Sequence, residues 1–539
     1  MFSYAVVDRS SLRACCCREE YVSSRIGIPI RLHADKNVGV ANGHCAECVA
    51  QRRALQELGE KLDVETNGSW VRDALSQKVR VLPANARIVI DSVRIQSQMD
   101  SLRGAYGARV VHIHLDAPES ELTDRYSRRK RADIKELTSY AAVQESETER
   151  AIGSLAATAD VVIDTVRCTE EDVLIRAASH LGIFGRGYDR VVDVLVGGEY
   201  GSEGKGQIAA YLAPEYDLLV RVGGPNAGHT VYEEPTSHTF RHLPSGTRSS
   251  SAQIVIGPGA VVHVPTLLDE IAASEVAVDR LSIDPQVITI TDEDIATEVA
   301  LTGSIGSTGK GVGVATARRI LDRGIRSVET TKDAQPLRPF VRDTARIIED
   351  ACCRKARILL EGTQGTGLSL IHGPYPHVTS RDTTVAGCLA EAGISPSRVR
   401  KVIMVCRTYP IRVANPKEKG KTSGPFSREI DWTTIAERSG LDVLELRKAE
   451  HSSVSRKLRR VGEFDWALLK KASFLNAPTD IAMTFVDYIC KSNRDARRFE
   501  QLTPETVRFL QEVERVAHAP VTLISTRFHS RAIIDRRAW

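Results

Sequence analysis

One stretch restricts the fold of this chain more than any other. Val191-Val-Asp-Val-Leu-Val196 is a short apolar run that passes straight into Gly197-Gly-Glu-Tyr-Gly-Ser-Glu-Gly-Lys-Gly206, after which Gln207 to Leu212 reads as a helix start. An apolar run of this length bounded by glycine has the pattern of a strand covered on both faces, as in a parallel sheet. Strand, glycine-rich turn and helix together make an anion site. Glycine lets the backbone approach a phosphate, and a helix N-terminus favours negative charge. Lys205 adds a point charge for a transferring phosphoryl group. Taken alone, such a loop is explained almost as well by a plain tight turn.

A second loop follows. Leu218 to Val222 reads as another strand and leads into Gly223-Gly-Pro-Asn-Ala-Gly-His-Thr230. A lone histidine is usually structural. Here His229 closes a run in which Asn226 and Thr230 are also interleaved with glycines, a place for contact with ligand rather than for packing.

At 539 residues the chain is too long for one ordinary core, so two or three domains are expected. A net charge of +4 over this length does not suggest a nucleic-acid binder. No apolar run approaches the roughly 20 residues of a membrane span, and the N-terminus shows no secretory pattern. The expectation is a cytoplasmic protein without nucleic-acid or membrane partners. Among the 11 cysteines, Cys15-Cys16-Cys17 and His44-Cys45-x-x-Cys48 invite a zinc reading, but no second well-spaced pair accompanies them. Reduced thiols are the better reading.

Residues 1–185 and 190–539 look like different proteins, with the glycine-rich Gly182 to Tyr188 as linker. In the first part, Ala86–Asp91, Val110–Leu115 and Ala159–Asp164 are strand-like runs separated by helical patterns, which implies a parallel α/β sheet. Asp91-Ser-Val-Arg94, Leu115-Asp-Ala-Pro118 and the arginine-rich Arg125 to Arg131 resemble the later portion of a P-loop nucleotide kinase. The phosphate-cradling loop of such kinases is missing, since Met1 to Ser11 contains no glycine. Either the chain begins downstream of that loop or the domain is non-catalytic; a structural or oligomerising α/β domain accounts for it equally well.

The two loops of the second part resemble the adenylosuccinate synthetases, whose signature is Gly-Gly-x-x-Gly-Asp-Glu-Gly-Lys-Gly followed by Asn-Ala-Gly-His-Thr. Leu243-Pro-Ser-Gly246, Ile256-Gly-Pro-Gly259, Ser307-Thr-Gly-Lys-Gly-Val-Gly313, Glu361-Gly-Thr-Gln-Gly365 and Tyr375-Pro-His-Val-Thr379 continue the match in order. The resemblance implies an α/β domain over 190–539 with a mainly parallel central sheet. It also implies a ligase that joins L-aspartate to C6 of a purine nucleoside monophosphate through a 6-phosphoryl intermediate. Mg²⁺ and a nucleoside triphosphate are required, and the enzyme works as a homodimer.

The resemblance also implies roles for individual residues. His229 and Lys205 serve the transferring phosphoryl group, and Gln364 contacts the base. Gly201, Glu203, Gly204, Gly206, Asn226, Ala227 and Thr230 line the nucleotides. Ser307, Thr308 and Thr379 reach the monophosphate, and Arg318 corresponds to an arginine donated by a neighbouring subunit. The loop Ser452 to Arg460 supplies Ser453, Ser455, Arg456, Lys457 and Arg459 to the carboxylates of aspartate, a dicarboxylate that needs fork-like donors. Either Arg456 or Lys457 takes the family's aspartate-binding position. Asp487 and Ser525 border the donor base, and Ser202 with the carbonyl of Gly228 contacts the metal.

Three departures bear on substrate. The family's proton-abstracting aspartate is Ser202, whose hydroxyl is far too weak an acid to act as a base near neutrality, and which leaves room beside the purine C2 for an amino group. In this the chain resembles phage-type synthetases that make 2-aminoadenylosuccinate from dGMP. The family's guanine-reading Thr-Lys-x-Asp is Thr484-Phe-Val-Asp487, which weakens the case for GTP and opens ATP or dATP as donor. Ile524-Ser-Thr-Arg-Phe528 lacks the usual Gly-Pro in the same pocket. Three readings stand: a 2-aminoadenylosuccinate synthetase on dGMP or GMP, an adenylosuccinate synthetase on IMP, and an inactive purine-sensing regulator.

Overall fold

A computed structural model describes residues 2–7, 58–80, 88–91, 93–128, 139–144, 147–182, 189–233, 235–325, 328–451 and 457–537. The cysteines at 15–17, 45 and 48, most of the 182–188 linker and Ser453, Ser455 and Arg456 lie outside these residues. The chain forms two compact units, Met1–Phe184 and Gly185–Trp539.

The first unit carries a four-stranded sheet in the order Ile88–Ile90, Phe2–Val7, Val110–Asp116, Val161–Asp164. The three strands expected from sequence all run in one direction. Phe2–Val7 runs against both of its neighbours, so the sheet is mixed rather than parallel. Side-chain alternation, the only strand signal here, carries no information about strand direction. Val71, Leu75, Met99 and Leu102, from the helices Ser69–Val79 and Gln96–Tyr106, pack on Ile88 and Ile90.

The second unit is built on a nine-stranded sheet. Its order is Leu281–Ile283, Gln253–Ile256, Leu218–Arg221, Ile358–Glu361, Val192–Gly197, Val399–Arg407, Asp480–Thr484, Val521–Ser525, Ile533–Asp535. Every neighbouring pair is parallel except the last. The expected α/β fold with a mainly parallel sheet is what the chain adopts.

The strand Val192–Gly197 shows why an unbroken apolar run belongs in such a sheet. Val192, Val194 and Val196 enter one core cluster, together with Leu360 and Met404. Leu195 enters another on the opposite face, with Leu359, Ile403 and Leu523. Ligands of open parallel sheets gather outside the carboxyl ends of the strands, where the chain switches direction across the sheet. That edge collects Gly197, Arg221, Glu361, Arg407, Thr484 and Ser525 with the loops that follow them.

Candidate active site

The first glycine-rich loop is held by its own side chains. Glu203, fully buried, accepts the backbone amides of Glu199 at 3.1 Å and Gly201 at 2.7 Å on one oxygen. Its other oxygen takes Lys205 Nζ at 2.6 Å, and that ammonium also donates to the Gly201 carbonyl at 3.3 Å. Gly204 has φ of +87° at the N-cap of the helix Lys205–Leu212, a conformation natural to glycine. A Cβ on Gly206 would sit 2.9 Å from the Cβ of His229, so only glycine lets the two loops touch.

His229 begins the strand His229–Glu233, and its ring is clamped on one side. Nδ1 lies 2.6 Å from Glu361 Oε1 and 3.0 Å from Arg221 Nη1. Glu361 also takes Arg221 at 2.5 Å and the hydroxyl and amide of Ser245 at 2.5 and 2.7 Å. Burial, reinforced by Arg221, lowers the His229 pKa to about 4 against the opposing pull of Glu361, so the imidazole is neutral at pH 7. Burial would raise the carboxyl of Glu361, but Arg221, His229 and Ser245 bring it down to about 2. His229 Nε2 is buried with no partner among the described residues.

Both loops face a cavity of about 650 Å³. Gly201, Ser202, Gly204, Lys205 and Gly206 line it from the first loop, and Gly228, His229 and Thr230 from the second. Arg407, Arg459, Phe485 and Asp487 close the far wall. Ser202 is half-buried there, and its carbonyl accepts Arg407 Nη1 at 3.1 Å. Arg407 also pairs with Glu450 at 2.8 Å and stacks 4.2 Å over the Phe485 ring. Glu450 in turn accepts Tyr488 at 2.7 Å and Arg459 at 3.3 Å. Burial pushes the Asp487 carboxyl up to about 7 despite Arg494 at 3.6 Å, and its Oδ1 has no partner among the described residues.

A second group adjoins the first loop, since a Cβ on Gly201 would lie 3.0 Å from Gln364 Cα. Gln364, at φ +63°, donates to Thr379 Oγ1 at 2.6 Å, and Asn226 reaches the same hydroxyl at 3.3 Å. Gln364 Oε1 and Asn226 Oδ1 are buried without partners among the described residues, two polar groups with hydrogen-bonding capacity left for a ligand. Ala227, Ser307 and Thr308 are half-buried.

Other expected residues are engaged elsewhere. Arg318 holds Asp294 at 2.8 and 3.1 Å and the Thr289 carbonyl at 3.0 Å, within its own chain. The Ser525 hydroxyl donates to the Arg527 carbonyl at 2.9 Å. Lys457 is exposed.

Arg221, Arg407, Glu450 and Ser245 were not anticipated. One signal could have found two of them: Leu218-Leu-Val-Arg221 and Val402-Ile-Met-Val-Cys-Arg407 each end a buried apolar strand on a charge, as does Ile358-Leu-Leu-Glu361. All three charged residues are 1–2% exposed. A charge so placed has to meet a partner at the sheet edge.

The family model for adenylosuccinate synthetase matches residues 194–335 and 328–494. The chain belongs to the adenylosuccinate synthetase family. The adenylosuccinate synthetase of Pyrococcus horikoshii is 35% identical over 352 residues, covering 64% of this chain and 98% of that protein. That of Methanocaldococcus jannaschii is 35% identical over 358 residues, covering 64% and 96%. Among solved structures, the succinoaminodeoxyadenylate synthetase of cyanophage S-2L, bound to dGMP and dATP as an energy donor, is 29% identical. It superposes with a TM-score of 0.56 over 65% of this chain and 96% of its own. The fully ligated adenylosuccinate synthetase of Plasmodium falciparum, 20% identical with a TM-score of 0.56 over 64% and 100%, shares the fold. As a member of the adenylosuccinate synthetase family the chain is a carbon–nitrogen ligase, and the family domain is the second unit. Among the described residues no helix is long and apolar enough to cross a membrane.

Proposed function

We propose that this ligase joins the amino group of L-aspartate to C6 of a 2-amino purine nucleoside monophosphate, dGMP or GMP, with ATP or dATP as donor. The observation that carries the reading is Ser202, a neutral hydroxyl on the cavity wall where the family resemblance expects a carboxylate. It cannot hold the N1 proton of the purine near neutrality, and it leaves space beside C2. The likeness to the cyanophage synthetase bound to dGMP and dATP supports both choices.

In the first step the N1 proton passes to water or to a substrate phosphate oxygen, the purine O6 forms a bond to the donor's γ-phosphorus and the bond to the β-phosphate oxygen breaks. In the second, the aspartate amine bonds to C6, and the phosphate leaves with O6 and takes up the proton the amine sheds. Lys205 and His229 converge where charge develops in both steps, the setting in which preorganised donors act most strongly. With its Nδ1 proton committed to Glu361, His229 presents Nε2 to the cavity, an acceptor in the neutral ring that becomes a donor once the charge of the bound phosphates draws a second proton onto it. Gln364, Asn226 and Thr379 form the group that would take the acceptor's base and monophosphate, with Ser307 and Thr308. Arg459 would face the amino acid, and Asp487 the donor base. Arg318 would serve a partner subunit only after leaving Asp294, which makes dimerisation part of the proposal.

Mg²⁺ fits this arrangement. It prefers oxygen ligands, keeps several waters, and is bound through few protein groups plus substrate phosphates. The Ser202 hydroxyl and the Gly228 carbonyl, on the wall that also carries Lys205, are such oxygens. Once bound with the donor, the ion would neutralise phosphate charge.

IMP with GTP is the second reading, favoured by 35% identity to archaeal adenylosuccinate synthetases and by retention of Asp487. The deciding experiment offers IMP, dIMP, GMP and dGMP, each with ATP, dATP or GTP, aspartate and magnesium, and reads products by mass spectrometry. A succinylated product from dGMP with ATP or dATP is expected; product from IMP alone overturns the proposal.

A further inference from the structure

The loop Ser307-Thr-Gly-Lys-Gly-Val-Gly313 joins the helix Asp292–Ile305 to the helix Val312–Leu321. Two contacts place it against the group around Thr379. A Cβ on Gly313 would lie 3.5 Å from Ser380 Cβ, the neighbour of Thr379 in sequence. A Cβ on Gly224, two residues before Asn226, would lie 2.9 Å from Val312 Cγ2. The start of the second helix therefore lies beside the segments that carry Asn226 and Thr379.

An anion from the protein itself is already there. Glu298, on the preceding helix and 6% exposed, accepts the Ser307 hydroxyl at 3.3 Å on Oε1. The same oxygen would lie 3.6 Å from a Cβ on Gly313, so the carboxylate sits against the first turn of the second helix. The second oxygen, Oε2, is buried without a partner among the described residues. A helix end that needs only a cap takes it from the residue next to it, at little cost. A buried, half-satisfied carboxylate brought in from another helix is an expensive way to reach the same end.

We propose that Glu298 is a built-in competitor for the substrate's monophosphate. Its carboxylate holds the Ser307 hydroxyl and occupies the space at the start of the second helix until the phosphate takes its place. Two anions cannot share one set of donors at contact distance in a poorly solvated site. Nucleotide binding then includes displacement of Glu298, and apparent affinity falls by the fraction of molecules in which the carboxylate has left. Glu298 thereby sets the threshold for the monophosphate and disfavours ligands that lack a full phosphate. This rests on the reading of 307–313 as the monophosphate loop.

The test is Glu298→Gln in the full chain, which removes the charge and keeps the shape. KM for the nucleoside monophosphate should fall about tenfold, as expected when a competent fraction near one-tenth rises to near one. The dissociation constant of inorganic orthophosphate, measured by calorimetry without any nucleotide, should fall in parallel. If Glu298 only caps the helix, the variant melts lower while KM and orthophosphate binding stay level or weaken, and the proposal is overturned. Should Glu298→Gln fail to fold, Glu298→Asp draws the charge back by one methylene and must also tighten orthophosphate; unchanged or weaker binding overturns the idea. The orthophosphate measurement separates this proposal from the substrate assignment, because a protein that converts no purine monophosphate would still report whether Glu298 opposes phosphate.

Discussion

Glu361 holds the ring of His229 through a 2.6 Å contact between Oε1 and Nδ1, and the same carboxylate is itself fixed by Arg221 and Ser245. The histidine is therefore set in one tautomer and one orientation by a group outside the cavity lining. Replacing His229 with Ala should lower turnover by about 10²–10³, the usual loss for one preorganised group at a developing charge. Arg221 and Ser245 still satisfy Glu361, so the variant should keep its circular dichroism spectrum. Undiminished turnover would remove His229 from the mechanism.

Ser202 makes the sharpest claim about substrate. Ser202→Asp restores a carboxylate able to take the N1 proton and fills the space beside C2. Discrimination between purines should move by roughly 1–3 kcal/mol, or about 10–200-fold. The ratio of kcat/KM for IMP to that for dGMP should rise by this factor. A wild-type enzyme that already prefers IMP would show that Ser202 does not choose the acceptor.

Arg407 links the first glycine-rich loop to the far wall of the cavity. Arg407→Met would strand Glu450, a carboxylate 2% exposed, against Tyr488 and Arg459 alone. Loss of one partner from a buried pair costs about 3–5 kcal/mol. Chemical denaturation of the second unit should register a loss of that order. A change within experimental error would mean that Arg459 alone satisfies Glu450.

Asp487 supplies a pH test. Its native pKa, about 7, stands above the value of about 3.9 expected in the unfolded chain. The native state thus holds a proton that the unfolded state has released, and stability falls as pH rises from about 4 to about 7. Asp487→Asn removes this burden and should raise Tm at pH 8 with no gain at pH 4. A gain equal at both values would deny that the buried charge is responsible. The same variant should raise KM for the donor nucleotide.

The first unit should not transfer phosphoryl groups. Nothing in Met1 to Ser11 supplies a glycine for a phosphate loop, and Phe2–Val7 runs against its neighbours. The full chain incubated with ATP and dGMP but no aspartate should therefore form no dGDP by chromatography. Formation of dGDP would show that another loop cradles the phosphates.

Sequence by itself determined the parts of this site built from neighbours along the chain. A buried apolar run makes a strand, glycine makes the turn, and the residues that follow reach the loop. Lys205, His229, Asn226 and Gln364 were legible for that reason, and the family resemblance for the same reason. Arg221, Glu361 and Ser245 meet only because Ile358–Glu361 inserts between Leu218–Arg221 and Val192–Gly197, across separations of 140 and 116 residues. Glu298 reads in sequence as one more charge on a helix, and its burial against Gly311–Gly313 depends on how two helices pack. The reversed Phe2–Val7 strand is of the same kind. Strand period and apolar content are properties of a segment, whereas pairing direction, strand order and the partner of a buried charge depend on which distant segments share the same core.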